Sequence, residues 1–202
     1  MSAAVWDQWN DSQVSRYPHE AVVHFVERNF ADPVSSGSWA LDLGCGIGVE
    51  ARFLMERGFK VTGVDHSPIG LARTQTLVAD LPGTLQVQQA RLSQIDLPAR
   101  RYSCAICVGV LEAAGVDEAR VAVPRLVDSL KPGGKALLVI AAEGDSRIKA
   151  HPELQLHGFS RREVEALIVL EYGVGVWIDT HTTTYQNAST RRSDWLVTIA
   201  KR

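Results

Sequence analysis

Residues 41–48 place a carboxylate inside a glycine-rich stretch that follows a short apolar run. The stretch reads Leu-Asp-Leu-Gly-Cys-Gly-Ile-Gly, so Asp42 stands just before three alternating glycines. A strand that ends in glycines lets a helix begin at once, and the free N–H groups of that helix then face a ligand. We therefore predict a nucleoside-binding site here, and the carboxylate of Asp42 favours a ligand that carries a positive group.

The glycine spacing separates two classes of nucleoside ligand. A dinucleotide-binding turn follows the pattern G-x-G-x-x-G, which would need glycine at position 49, where this chain has Val49. Asp42 would also repel a pyrophosphate, which binds to N–H donors and positive potential. S-adenosylmethionine carries an ammonium and a sulfonium beside one carboxylate, so a loop with N–H groups and an acid matches its charges better. An NAD-dependent oxidoreductase is the weaker alternative.

A second carboxylate stands where a ribose would need one. The β-type run 60–65 ends in Asp65, which follows Gly44 by 21 positions. This distance is close to the roughly 20 positions that separate a glycine turn from a ribose-binding acid. Two ribose hydroxyls that share one carboxylate explain the residue type. His66 follows directly, and its ring is a candidate for contact with the adenine face.

Residues 42–48 resemble motif I of the class I S-adenosylmethionine-dependent methyltransferases, of the small-molecule, methyltransferase-11/12-like type. The segment 102–112 is similar to the family's fourth-strand segment, and Leu-Lys-Pro-Gly-Gly-Lys at 130–135 is similar to the turn before its fifth strand. The resemblance covers residues 39–140, roughly half of the chain. It implies S-adenosyl-L-methionine as the methyl donor.

The resemblance assigns the parts of the donor to separate segments. Asp42 and the glycines would hold the methionine end, Asp65 the ribose, and the segment around Arg91 and Leu92 the adenine. Relatives carry an acid where this chain has Arg91, and a guanidinium cannot accept a hydrogen bond from the adenine amino group. Backbone groups near Leu92, stacking on Arg91, or the nearby Asp96 are the open alternatives. The expected donor-binding residues are Asp42, Gly44, Cys45, Gly46, Gly48, Asp65, His66, Arg91, Leu92, Val108 and Tyr17.

No catalytic residue follows from the motifs alone. Methyl transfer to oxygen or nitrogen is a displacement at an activated carbon, so positioning supplies most of the rate, and a base is needed only where the nucleophile must lose a proton. Ligands of such sheets bind at the carboxyl ends of the strands, which makes Glu112, His151 and His157 the candidates. Glu112 is equally compatible with a helix cap or a surface acid, and the two histidines with exposed polar positions.

The start of the chain contains an aromatic cluster. Trp6, Trp9 and Tyr17 precede a predicted helix at 21–30. They either close over the donor as a lid, with Tyr17 as the best candidate, or form a hydrophobic clasp that only tethers the helix. Near the other end, candidates for the acceptor pocket are Trp177, Thr182, Thr183, Thr184 and Tyr185, although a core position suits Trp177 better.

Strand and helix patterns alternate along the chain, which predicts a parallel sheet with helices on both faces. The predicted strands are 39–43, 60–64, 84–88, 102–109 and 135–142, and the predicted helices are 49–58, 68–79, 117–130 and 160–170. In the family the last strands pair antiparallel, as runs 174–180 and 195–200 could. The expected fold class is α/β: a doubly wound, seven-stranded Rossmann-like sheet, mostly parallel, with the last strand antiparallel. We expect one domain over 1–202, with a lid and helix at 1–37, a donor-binding core at 38–142 and an acceptor-side part at 143–202.

Composition limits the partners and the compartment. The formal net charge is −2, so no overall positive field would hold a nucleic acid. The chain begins without a basic n-region, and no apolar stretch approaches the roughly 18 residues of a membrane span, so we expect a cytoplasmic protein that does not bind membranes. Cys45, Cys104 and Cys107 are an odd number of cysteines, which fits a reducing compartment. Cys104 and Cys107 would face opposite sides of a strand and could not easily share a metal.

Together with the resemblance, these features predict methyl transfer from S-adenosylmethionine to an oxygen or nitrogen atom of a small-molecule acceptor. The alternative is a catalytically silent protein that binds the donor as a sensor or partner subunit. The missing adenine acid and the lack of an obvious base keep that alternative open. The acceptor, the methylated atom and the oligomeric state do not follow from the sequence.

Overall fold

The computed structural model describes residues 3–14, 17–31, 33–168, 174–184 and 191–202. Seven strands of this part of the chain form one sheet. They are β1 (Trp39–Leu43), β2 (Lys60–Asp65), β3 (Leu85–Gln89), β4 (Tyr102–Val108), β5 (Leu130–Ala141), β6 (Val174–Thr184) and β7 (Arg191–Lys201). The accompanying helices are α1 (Ala3–Ser12), α2 (Glu20–Asn29), α3 (Val49–Glu56), α4 (Pro68–Leu77), α5 (Leu111–Ala114), α6 (Val116–Ser129), α7 (Ser146–Ala150) and α8 (Arg161–Ile168).

The strand order in the sheet is β3-β2-β1-β4-β5-β7-β6. Strands β1 to β5 pair parallel, whereas β7 pairs antiparallel with both β5 and β6. The predicted seven-stranded, mostly parallel sheet with a reversed last strand is therefore confirmed. Because the carboxyl ends of β1, β2 and β4 meet at one edge of this sheet, the segments that follow them converge there.

Helices cover both faces of the sheet, and the side chains of β4 alternate between two hydrophobic clusters. Cys104 and Ile106 pack on the face that also holds buried residues of α2 and α3, whereas Ala105 and Cys107 pack with buried residues of α6 and α8. The two cysteines thus lie on opposite faces, as a three-residue spacing in a strand requires. Among the described residues, no group of three or more His, Cys, Asp or Glu side chains could hold a metal ion.

Three local features differ from the sequence prediction. Strand β5 begins at Leu130, which pairs with Tyr102 before the register shifts to the pair of Cys104 and Lys135. The Lys-Pro-Gly-Gly segment is therefore an irregularity inside β5, made possible by a φ of +77° at Gly133. Helix α1 was not predicted, and neither were the short helices α5 and α7.

The ends of other elements shift by a few residues from their predicted positions, as hydrogen-bond patterns at element ends usually do. Predicted positions 169 and 170 of the last helix lie outside the described residues. In the described part of the chain, no helix combines the length and the apolar character that crossing a membrane requires.

Candidate functional site

A cavity of about 210 Å³ lies at the carboxyl edge of β1, β2 and β4. Its wall comes from α1, the glycine loop after β1, the ends of β2 and β4, the segment after β3, and helices α5 and α6. Aromatic and aliphatic side chains predominate, with a few polar groups among them. The lining residues are Trp6, Trp9, Asn10, Gly44, Gly46, Val64, Asp65, His66, Ala90, Arg91, Leu92, Val108, Gly109, Val110, Ala113, Ala114 and Glu118.

The glycine loop runs from the end of β1 to the first turn of α3. The backbone N–H groups of Gly44 and Cys45 both donate to the Val64 carbonyl, at 2.6 and 3.0 Å. Gly44 has a φ of +79°, and a side chain there would come within 2.2 Å of Val110 Cγ2. Glycine therefore allows the loop to pass close to Val110 at the cavity wall.

Asp65 stands at the end of β2 with a fixed orientation. Its Oδ2 accepts a hydrogen bond from the Gly46 N–H at 2.8 Å, and its Oδ1 accepts one from the Ser67 N–H, also at 2.8 Å. A carboxylate oxygen can accept more than one hydrogen bond, so Asp65 retains acceptor capacity towards the cavity. The neighbouring His66 ring packs edge to face against Trp6, with ring centroids 6.4 Å apart.

Asp42 lies behind the glycine loop rather than in the cavity wall. It is buried in β1, its carboxyl group is hydrogen-bonded by the backbone of Ala51, and its Oδ2 has no hydrogen-bond partner among the described residues. Burial, together with the negative charges of Glu50 and Asp65, raises the pKa of Asp42 well above its usual value. Burial therefore favours the neutral form of this side chain more than exposure to solvent would.

Cys45 and Gly48 also support the loop from behind. Thr74 in α4 approaches Cys45 Sγ at 3.8 Å through its hydroxyl, and burial raises the pKa of the Cys45 thiol well above its usual value. Gly48 is in the left-handed conformation and packs against Thr74. Both residues hold the loop against α4, whereas the predicted donor contacts Gly44 and Gly46 line the cavity.

On the side of β3, the wall contains both a cation and an acid. Arg91 and Leu92 line the cavity as predicted positions for adenine, while Asp96 is exposed and does not belong to this wall. The acid on this side is Glu118 from α6, whose Oε2 lies 3.4 Å from the Ser93 N–H. Sequence reasoning did not single out Glu118, because nothing along the chain brings α6 next to the segment after β3.

Helix α1 supplies the aromatic side of the cavity. Trp6, Trp9 and Asn10 line it, and their spacing of three and four positions puts them on one helix face. Tyr17, the predicted lid residue, is instead 82% exposed and outside the wall, since α1 brings the two tryptophans to the cavity before the chain reaches position 17. The spacing of Trp6, Trp9 and Asn10 was the signal that could have predicted this helix.

The three candidate bases occupy different places. Glu112 is buried beside Gly109, a wall residue, with its Oε1 3.9 Å from Arg147 Nη1 and its Oε2 without a partner among the described residues. Burial raises the pKa of Glu112 to about 7. His151 packs edge to face on Trp9 with ring centroids 5.2 Å apart, so it lies one layer behind the cavity. His157 does not line the cavity, and its Nε2 lies 3.0 Å from Glu163 Oε1.

The proposed acceptor-pocket residues near the end of the chain lie elsewhere or cannot be placed. Trp177 on the edge strand β6 is 61% exposed and does not line the described cavity. Trp195 packs at the core and donates its Nε1 hydrogen to the Phe159 carbonyl at 2.8 Å. The side chains of Thr182, Thr183 and Thr184, and the whole of Tyr185, lie outside what the structure describes.

Comparison with known proteins agrees with this geometry. Residues 40–134 match a family model described as a methyltransferase domain. Over these residues, slightly less than half of the chain, the protein is similar to a methyltransferase domain. It is 29% identical to the uncharacterized methyltransferase YodH of Bacillus subtilis over 102 residues. This match covers 50% of this chain and 42% of YodH. The chain is 27% identical over 137 residues to the mitochondrial ubiquinone biosynthesis O-methyltransferase of Schizosaccharomyces pombe, covering 66% of this chain and 49% of that one.

Among solved structures, an N-methyltransferase of Haemonchus contortus resembles the fold with a TM-score of 0.70 at 18% identity. The match covers 98% of this chain and 56% of that one, which was solved with phosphomonomethylethanolamine and S-adenosylhomocysteine. This chain spans less than half the length of the two curated relatives. The matched part of the methyltransferase domain includes the glycine loop, Asp65 and Glu118, whereas α1 and His151 lie outside it.

Proposed function

We propose that this protein transfers a methyl group from S-adenosylmethionine to an oxygen or nitrogen atom of a small-molecule acceptor. The observation that carries the proposal is that one cavity joins the backbone of the glycine loop and the fixed carboxylate of Asp65 to an apolar wall. The loop and Asp65 suit the donor, and the apolar wall leaves room for an acceptor. The methyltransferase domain match supports the same reading.

The residues of the wall fit the donor part by part. Gly44 and Gly46, which have no side chain, leave space for the methionine end at the loop. Asp65 would accept hydrogen bonds from the ribose hydroxyls, because Gly46 and Ser67 hold its oxygens in place. Leu92 and Glu118 would contact the adenine, and an acid there can accept a hydrogen bond from its amino group. Bound S-adenosylmethionine supplies a methyl carbon that its sulfonium has already activated.

The acceptor side is apolar and small. Val108, Val110 and Ala113 follow from β4 into α5, and Trp9 of α1 lines the same cavity. Such a wall positions an acceptor chiefly by shape and excludes water, and positioning is the main requirement for this displacement. The S. pombe relative is named an O-methyltransferase and the H. contortus protein an N-methyltransferase, so both atoms stay within the proposal.

Where the acceptor must lose a proton, Glu112 is our first candidate for the group that takes it. It is buried beside the wall residue Gly109, and its Oε2 has no partner among the described residues. His151 lies behind Trp9, and His157 is paired with Glu163, so both are less directly placed. The predicted division of the chain remains part of the proposal, with a lid and helix at 1–37, a donor-binding core at 38–142 and an acceptor-side part at 143–202.

The cavity's charge argues for a small molecule rather than a polyanion. Asp65 and Glu118 in the wall outnumber Arg91, and the net charge of the whole chain is −2. A nucleic acid would instead require a positive surface. The proposal includes that the protein is soluble and lies in the cytoplasm.

The experiment that tests the proposal combines donor binding with transfer. Titration calorimetry with S-adenosylhomocysteine should show binding, and radiolabelled S-adenosylmethionine should label members of a panel of phenols, carboxylic acids and amines. Binding without any transfer would favour the alternative, a donor-binding sensor or partner subunit. Tighter binding of NADH than of S-adenosylhomocysteine would instead support an oxidoreductase.

A further inference from the structure

Asn10 is a buried polar residue that the glycine-loop motif does not include. It lies on α1, lines the cavity and is 5% exposed. Its side-chain amide makes no hydrogen bond to any residue that the structure describes, although its backbone carbonyl accepts one from Arg73. Because Asn10 lines the cavity, its side-chain amide can form hydrogen bonds with a ligand there.

The amide of Asn10 sits between the glycine loop and the first turn of α4. A side chain on Gly46 would come within 3.3 Å of Asn10 Oδ1, and one on Gly70 would come within 2.7 Å of Asn10 Nδ2. The two glycines therefore make the space that the amide occupies. This places a carboxamide directly over the part of the loop that we assign to the methionine end of the donor.

Helix α1 is held beside α4 by hydrogen bonds from two residues, Arg73 of α4 and its N-cap residue Ser67. Arg73 donates to the carbonyls of Asn10, Asp11 and Gln13, the last two at 2.9 and 2.8 Å. One turn earlier, the Ser67 hydroxyl donates to Asp7 Oδ1 at 2.6 Å. Because α1 is fixed on both sides of Asn10, the amide is positioned before a ligand arrives, which favours affinity.

The charges near the loop suggest which ligand group the amide meets. Asp65, the acid of the cavity wall beside the glycine loop, would repel a carboxylate of the ligand. A carboxylate of the ligand needs N–H donors instead, and the guanidinium of Arg73 is engaged with the carbonyls of α1. Asn10 lines the wall, and its side-chain NH₂ group can donate hydrogen bonds to such a carboxylate.

Resting on the proposed function, we infer that Asn10 is a donor-recognition residue whose side-chain amide hydrogen-bonds the carboxylate at the amino-acid end of S-adenosylmethionine. The specificity of the site for a donor with an intact amino acid then depends on α1 as well as on the glycine loop. It also means that the cavity is incomplete for the donor without this helix.

The test compares two ligands that differ in the amino-acid end. Titration calorimetry measures S-adenosylhomocysteine and 5′-methylthioadenosine, which lacks that end, on the wild type and on Asn10→Ala. A hydrogen bond to a charged group predicts a roughly ten- to hundredfold loss of S-adenosylhomocysteine affinity, with no comparable loss for 5′-methylthioadenosine. Gln8→Ala is the matched control, because it removes an exposed carboxamide from the same helix and should bind both ligands as the wild type does.

Asn10→Asp adds a second variant of nearly the same shape. Its carboxylate would repel that of the ligand, so S-adenosylhomocysteine should bind more weakly than to Asn10→Ala. Affinity equal to that of the wild type in either variant, or an equal loss for both ligands, would overturn the inference. If the wild type bound neither ligand, the proposed function itself would fail. If the wild type bound S-adenosylhomocysteine and Asn10→Ala bound it equally well, only the role of Asn10 would fail.

Discussion

At the residue scale, Asp65 is the polar group of the wall with the most constrained geometry. Both of its oxygens accept backbone N–H groups, from Gly46 and from Ser67. A carboxylate can accept on every lone pair, whereas an asparagine replaces one oxygen with an N–H₂ donor. One of the two backbone N–H groups would then lose its acceptor. The ribose hydroxyls would lose a charged acceptor as well.

We therefore expect Asp65→Asn to weaken S-adenosylhomocysteine binding by roughly ten- to hundredfold, the range for hydrogen bonds to a charged group. Asp96→Asn, on an exposed residue outside the wall, is the matched control and should bind as the wild type does. Titration calorimetry on both variants measures the difference. Equal affinities would contradict the assignment of Asp65 to the ribose.

Glu112 makes a residue-scale prediction about pH. Burial raises its pKa from 4.5 to about 7, so the folded state binds the proton more tightly than the unfolded state does. Its contribution to stability is therefore fully present below about pH 4.5 and is lost as the pH rises through about 7. By linkage, the free energy of unfolding of the wild type relative to Glu112→Gln should fall by up to about 3 kcal/mol between pH 4 and pH 8.

Urea unfolding of the two proteins at both pH values measures this change. If Glu112→Gln showed a constant difference from the wild type, Glu112 would ionise in the folded protein as it does in the unfolded chain.

At the scale of elements, the glycine loop depends on its packing against α4. Gly48 has a φ of +85°, and a Cβ there would lie 2.6 Å from Thr74 Cγ2 and 2.8 Å from Thr74 Cα. The second of these atoms belongs to the backbone of α4, so a rotamer change cannot relieve the clash. Either α3 or α4 would have to move, and the loop between them would move as well.

Gly37 offers a matched comparison for this effect. Its φ of +86° is nearly the same, but a Cβ there would meet nothing within 4 Å. Both alanine variants carry the strain of a positive φ, and only Gly48→Ala adds the clash. We expect Gly48→Ala to lower the free energy of unfolding by about 1–3 kcal/mol more than Gly37→Ala, the usual range for overpacking. Chemical denaturation measures both, and equal losses would show that α4 gives way freely.

At the scale of the whole molecule, the cavity joins parts of the chain that are far apart in sequence. Helix α1 covers the edge of a sheet whose loops come from β1, β2 and β4, and His151 packs on the outer side of Trp9. A ligand in this cavity would therefore contact the N-terminal helix and the central sheet together. Such a ligand binds the folded state alone and should stabilise the protein as a unit.

S-adenosylhomocysteine at about a hundredfold excess over its Kd should add about 2.7 kcal/mol to the free energy of unfolding. For a chain of this size, that corresponds to a rise in Tm of roughly 5–10 °C. Differential scanning calorimetry measures the rise, and NADH at the same concentration should leave Tm unchanged. A larger rise with NADH would contradict the proposed donor.

The amino-acid sequence by itself determined strands β1 to β5, helices α3, α4 and α6, the glycine loop and the position of Asp65, because these depend on short-range patterns. Alternation of apolar residues, glycines that allow left-handed backbone, and an acid at a strand end act within about twenty positions of each other. The reversed last strand was inferred from the family resemblance, and the pairing of β7 with β5 and β6 agrees with it.

The tertiary structure alone decided which side chains share the cavity. It placed Asp42 and Cys45 behind the loop, left Tyr17 in solvent, and brought Glu118 and Asn10 into the wall. These outcomes depend on how α1, α4 and α6 pack against the sheet, and packing joins residues over distances in sequence at which local patterns carry no information. Which residues line the cavity therefore depends on how the helices pack as much as on the glycine motif that first indicated the site.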